Sequence, residues 1–217
     1  MYDFSSYGPR ENPKISGDLI TNGSLDCLVQ YTPFARQPRI NNPTTILDQE
    51  RTLARQIESA LIPCILLDRF PKSIIEVHIL IIESDNNELC CSINGTTLAL
   101  INTGIDMIDM AVATQCMALQ TKDTNTPAQI LLDPSQDEIV SSSSFRTIIT
   151  MMPKNGLLTL TIQEGENNIN NILNSLKVCM EGCLTMYQQM RNVLIEDGTK
   201  KAKRTFNRQK IKAESME

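Results

Sequence analysis

An α+β fold, a mixed sheet packed against helices, is what this sequence predicts, and three stretches carry that reading. Residues 73–84 (SIIEVHILIIES) are β-branched and alternate, with Ile75, Val77, Ile79 and Ile81 on one face and Ile74, Glu76, His78, Leu80 and Ile82 on the other. Residues 88–109 (ELCCSINGTTLALINTGIDMID) form a long stretch with almost no charge, bounded by Asn86, Asn87 and Glu88 at a helix start and by Gly104 at a left-handed stop. Residues 145–152 and 157–163 flank Pro153-Lys154-Asn155-Gly156, a hairpin turn, and apolar residues at helical spacing follow from 167 to 195.

Taken in order, residues 1–24 are rich in Gly, Pro, Asn and Ser and read as loop, with the tail of a strand at the front. Residues 25–31 (LDCLVQY) predict a short strand. The loop TPFARQPRINNP follows, in which Pro33, Pro38 and Pro43 oppose regular structure and Arg36 and Arg39 are left exposed. Thr45 and Asp48 have the spacing of a capping box, and Ile46, Leu53, Ile57 and Leu61 then recur as on an amphipathic helix ending at Pro63. The 73–84 run is a central strand.

In the 88–109 helix, Ile93, Leu100 and Ile101 supply bulk, while Ser92, Gly95, Thr96 and Ala99 make a stripe of small residues. Such a helix has no solvated face, so another backbone is expected close against it. Residues 111–119 predict a strand, 121–128 a polar loop, and 145–163 an antiparallel hairpin. Residues 167–195 predict one long helix laid across a sheet. From Asp197 the chain turns basic, with seven Lys or Arg between Lys200 and Lys212. The organisation expected is one domain over 1–196 and a disordered basic tail over 197–217.

Composition narrows the function. Only 4% of residues are aromatic and none is Trp, which argues against base-stacking platforms, and the net charge of −5 argues against a whole-surface nucleic-acid footprint. Seven cysteines, mostly within apolar runs, read as reduced core thiols of a cytosolic or nuclear protein, and no run is long enough for a membrane helix. His78 is the only histidine and lies mid-strand, and Cys179 and Cys183 continue an apolar stripe. No metal site, cofactor or catalytic residue is therefore expected.

Several segments, in order, resemble the RNase PH family from about residue 7 to 195. They are Tyr7-Gly-Pro-Arg10, Tyr31-Thr-Pro-Phe-Ala35, Glu50-Arg51, Phe70-Pro-Lys72 and the run from Ala99 to Met107. The Pro-Phe-Ala loop, Leu132-Asp133-Pro134 and Glu181-Gly182-Cys183 with Tyr187 make the resemblance strongest to a catalytically inactive ring subunit of the eukaryotic RNA exosome. The resemblance implies an RNase PH-like fold with other ring subunits, cap subunits and RNA as partners, and a place in nucleus, nucleolus and cytoplasm.

Two departures from the family pattern bear on activity and extent. Active members carry an Asp-Gly-Gly-Thr-Arg type turn that receives the attacking phosphate, and here Asp85, Asn86, Asn87, Glu88 and Leu89 stand in its place. Of the paired aspartates six residues apart, Asp133 matches the first and Ile139 stands at the second. These are degenerate former active-site positions, so the chain is expected not to be an enzyme. The family also has strands before the Tyr-Gly-Pro-Arg corner, so the sheet is expected to lack leading strands and expose an edge. The alternatives are a phosphate-dependent 3′-to-5′ exoribonuclease, with Asp133 as its remnant, and a thiol enzyme, for which no cation flanks any cysteine. RNA contact is expected at phosphates, from Arg36, Arg39 and the basic tail.

Overall fold

The alternating run becomes strand β3 (Ser73–Ile81), and its period of two sets the sides: Ile75, Val77, Ile79 and Ile81 are buried, while His78 and Leu80 face out. The computed structural model describes residues 2–11, 23–35, 43–119, 129–140, 144–165 and 169–214. Strand β3 is central, as expected, in a three-stranded sheet ordered β1-β3-β2. Strand β1 (Tyr2–Glu11) pairs with it antiparallel, Phe4 opposite Ile79, and β2 (Ser24–Tyr31) pairs parallel, Val29 opposite Ile79.

Strand β1 corrects the reading of the front as mostly loop. Its half-buried Tyr2, Phe4 and Ser6 alternate with exposed Asp3, Ser5 and Tyr7, and the register slips between Tyr7 and Arg10. That irregularity lets Pro9, which has no N–H to give, sit in an edge strand.

Helix α1 (Pro43–Leu61) begins before the expected Thr45 box, because proline's fixed φ suits a first helical turn where an N–H is not needed. It buries Leu53, Ala54, Ile57, Ala60 and Leu61. It also covers the outer edge of β2, where the backbone N–H groups of Cys27 and Tyr31 donate to Glu58 (2.9 Å) and Glu50 (2.8 Å). Arg36 and Arg39, and the polar loop expected at 121–128, lie outside the described residues.

Helix α2 (Glu88–Thr103) is the predicted buried helix, closed by Gly104 at φ +81°. Ser92 and Thr96 are fully buried, and a Cβ on Gly95 would sit 2.2 Å from the Phe4 ring, so the small stripe does seat β1 against the helix. The opposite side of α2 meets a second sheet, ordered β5-β4-β6-β7 and wholly antiparallel: β4 (Val112–Leu119), β5 (Gln129–Leu132), β6 (Ser144–Met152) and β7 (Leu157–Glu164). The expected single mixed sheet is thus two, since a helix with no polar face needs a layer on each side.

Strand β5 pairs only with residues 116–119 of β4, which leaves the Ala113 backbone uncovered on that side. Asn94 of α2 fills the gap: Ala113 N–H donates to its Oδ1 (2.8 Å) and its Nδ2 donates to the Ala113 carbonyl (2.9 Å). Beyond β5 lies a short helix α3 (Gln136–Val140), which the sequence analysis left unassigned.

Helix α4 (Ile169–Glu214) crosses the far face of the second sheet, as predicted. It buries Ser175, Cys179, Cys183 and Met190, and Thr114 of β4 donates to the Cys179 carbonyl at 3.0 Å. The layers therefore run sheet, α1 with α2, sheet, α4. The helix does not end near Asp197 but continues to Glu214 through the expected tail, a stretch rich in Lys and Arg, both good helix formers. Lys200 pairs with Glu196 (3.8 Å) and Asp197 (3.9 Å) where the helix leaves the body.

The cysteines pack as expected: all are free, six buried and Cys91 half-buried. His78 is exposed, its ring edge-on to Tyr7 at 5.1 Å. Among the described residues no helix is long and apolar enough to cross a membrane, and no group of three metal-ligating side chains is found.

Candidate functional site

The turn before α2 and the turn before α3 meet, and both carry a residue in left-handed conformation, Asn86 at φ +62° and Asp133 at φ +55°. These turns bring together the residues singled out from sequence, except that nothing is described of the Ile139 side chain within α3. Two clefts open beside them. One, about 470 Å³, is lined by Tyr2, Glu83, Asp85, Asn87, Cys91 and Asp133 among others. The other, about 450 Å³, lies between α1 and the second sheet and includes Asp48, Glu88, Arg146 and Glu164.

Asp85, Glu88, Asp133 and Glu138 at these turns each accept from a structural donor. The Asp85 carboxylate accepts the Gln136 backbone N–H at 3.0 Å, so it serves an otherwise orphan group at the start of α3. Asp133 accepts from the Asn87 side-chain amide, and its own N–H donates to the Gln115 carbonyl at 2.9 Å. Glu138 accepts the Ser135 N–H at 2.9 Å. Ser135 to Glu138 is a capping box, and that spacing could have predicted α3 from sequence.

Glu88, in the first turn of α2, is buried and accepts from the Ser84 hydroxyl. Its charge lies where the helix dipole favours an anion. Leu89 is a core residue, 4% exposed. Asn87 departs from expectation: it makes no side-chain cap on α2, because its amide is turned to Asp133.

Arg146, on β6, was not foreseen as a site residue. Its guanidinium donates to Gln115 Oε1 (2.8 and 3.1 Å) and to the Asn86 carbonyl (2.9 Å), and pairs with Glu164 at 3.7 Å. Among the described residues lining the two clefts it is the one Lys or Arg. Nothing local marked it, since an arginine in a strand reads as solvated until Gln115 and Asn86 are placed beside it. Burial, with Cys91 and Glu88 nearby, pushes the Tyr2 phenol well above its usual range, and burial likewise raises the Cys91 thiol, so both are held neutral. The first cleft therefore offers carboxylates and neutral donors, and the second offers carboxylates around a guanidinium already engaged.

Two sheets layered with helices, joined at these two turns, define an α+β chain. Residues 5–106 match the model of the 3′ exoribonuclease family, domain 1, named RNase PH. It is 29% identical over 195 residues to the exosome complex component RRP41-like of Arabidopsis thaliana, covering 88% of this chain and 69% of that protein. To the human exosome complex component MTR3 it is 28% identical over 174 residues, 80% of this chain but only 61% of that protein. Rice (Oryza sativa) Rrp46 shares the fold, with a TM-score of 0.70 at 17% identity, covering 89% of this chain and 83% of that one.

Proposed function

We propose that this chain is a non-catalytic ring subunit of an RNA exosome, supporting 3′-to-5′ RNA processing and degradation by assembly and by guiding RNA. Its partners are other RNase PH-like ring subunits, cap subunits and RNA, in nucleus, nucleolus and cytoplasm. The observation that carries this reading is Glu88. A site for attacking phosphate must gather donors and positive charge around a dianion next to a polyanionic RNA end. Here the helix start is filled by a buried carboxylate that accepts from Ser84, and the next residue, Leu89, belongs to the core.

Within the family the finer reading is an MTR3-like subunit. Relatives named RRP41 match with comparable identity, so support for it comes from the turn, from the Leu132-Asp133-Pro134 segment and from Glu181-Gly182-Cys183 with Tyr187 rather than from identity. The test is phosphate-dependent release of nucleoside diphosphates from a 3′-labelled RNA, by the purified chain and by the ring assembled with it. The chain is expected to release none, and replacing it in the ring by Asp133→Ala should leave the ring's output unchanged. Release by the chain alone, abolished by Asp133→Ala, would refute the proposal.

A further inference from the structure

The seam between α4 and the second sheet holds two thiols that reach past each other. On β4, Cys116 lies opposite Thr147 of β6, and its Sγ extends to α4, donating to the Ser175 carbonyl at 3.4 Å. Cys179, one helical turn after Ser175, extends the other way, and its Sγ donates to the Thr147 carbonyl at 3.8 Å. Both side chains are wholly buried and share one cluster with Ile149. When Cys116 gives up its proton, Cys179 can turn its own from that carbonyl to the Cys116 sulfur. This hydrogen bond pulls the Cys116 thiol below its ordinary range and holds Cys179 protonated, whereas burial raises Cys27, Cys64, Cys90, Cys91 and Cys183. Cys183, the next turn along, is engaged elsewhere, with the Thr114 hydroxyl at 3.2 Å and the Val112 carbonyl at 3.5 Å. Cys90 and Cys91 are neighbours in α2 and project about 100° apart.

We infer that Cys116 and Cys179 are an oxidation site, a dithiol pair that hydrogen peroxide converts to a disulfide stapling α4 to β4. The Cys116 sulfur attacks a peroxide oxygen and the O–O bond breaks, so that Cys116 becomes a sulfenic acid and the departing hydroxide takes the thiol's proton as the first water. The Cys179 sulfur then attacks the Cys116 sulfur and the S–O bond breaks, the departing hydroxide taking the Cys179 proton as the second water. The two sulfurs together lose two electrons, and the peroxide gains them. Access comes from the seam itself. The Ser175 and Thr147 hydroxyls are buried beside the pair, and among the described residues neither has a hydrogen-bond partner. Stranded hydroxyls weaken the closed form relative to one in which water reaches them, so local opening of α4 costs less here. The staple joins residues distant in sequence, which constrains the unfolded chain and fixes α4 on the sheet.

The experiment takes the full chain, purified in reductant and desalted, and treats it with hydrogen peroxide under conditions where circular dichroism shows it folded. Free thiols are then blocked with iodoacetamide, and the digest is mapped by mass spectrometry without reduction. The expected product is a peptide pair joined through Cys116 and Cys179, lighter than the two thiol peptides by two hydrogen atoms and separated again by dithiothreitol. Cys183→Ser should leave that product unchanged, and Cys179→Ser should stop at a Cys116 sulfenic acid, captured by dimedone. Oxidation confined to Cys91, or Cys116 joined to Cys183 or to any other cysteine, would overturn the inference. So would a joined pair that forms only once denaturant has unfolded the chain, or both thiols surviving peroxide in the folded wild type.

Discussion

Cations are held in opposite ways at the two ends of this molecule's architecture. Beside the start of α2, the Arg146 guanidinium is divided among Gln115, the Asn86 carbonyl and Glu164, and Asp85, Glu88 and Asp133 each accept from a structural donor. Along the C-terminal part of α4, seven cations follow one another with no acid among them. An anion reaching the first region must displace bonds that hold two turns together. At the second the basic residues are interrupted by no acid in sequence, although Lys200 is paired with Glu196 and Asp197 and Lys201 is bonded to Asn102. The turn before α2 is thus a structural joint in this chain, and the concentration of basic residues lies far from it in sequence.

The largest effect should come from forcing a cation into the joint. Leu89→Arg places a charge in the core and is expected to cost about 4 kcal/mol, measured by guanidinium chloride unfolding. Adding Glu88→Thr should not produce phosphorolysis. A Leu89→Arg chain within about 1 kcal/mol of wild type would show that the turn still accommodates an arginine and that the contrast is wrong.

Next in size is removal of the shared guanidinium. Arg146→Ala leaves Gln115 Oε1 and the Asn86 carbonyl without their donor, and a loss of about 2–3 kcal/mol is expected in the same measurement. Asn94→Ala serves as a reference of similar size away from the joint, since it strands both backbone groups of Ala113. If Arg146→Ala is neutral while Asn94→Ala is costly, the guanidinium is not a structural element.

Smaller still is the charge on Glu88. Glu88→Gln keeps an acceptor for Ser84 and removes the negative charge at the helix start, so about 0.5–1 kcal/mol should be lost at low salt. A gain in stability on this substitution would indicate that the carboxylate is strained rather than favourable there. At the other end, Arg204→Gln with Arg208→Gln should shift stability by less than about 0.5 kcal/mol in thermal melts. A large loss of stability from that pair would place the extension within the folded body.

Much of the fold was legible because local rules govern it. The period of two in β3, the Gly104 stop, the Pro-Lys-Asn-Gly hairpin and the 3.6-residue stripe of α4 all emerged where the residues placed them. Strand β1 was obscured because Gly8 and Pro9 suggested loop, while the alternation of Tyr2, Phe4 and Ser6 was short and mixed. Helix α3 was missed although its signal, Ser135 with Glu138, was present. The site was legible in its residue types at Glu88, Leu89 and Asp133, but not in their partners. Asn87 was taken for a helix cap and proved to be a donor to Asp133.

By itself, the sequence determined most element types, the faces they bury and the residue types of the turn before α2, because each depends on neighbours within a few residues. Only the tertiary structure decided that α2 lies between two sheets and that Asn94 completes the edge of β4. It alone showed that Arg146 joins Gln115 to a carbonyl 60 residues away in the chain. Those arrangements answer a different requirement: a buried polar group must find a partner wherever the packed chain brings one, and no local pattern records which residue that will be.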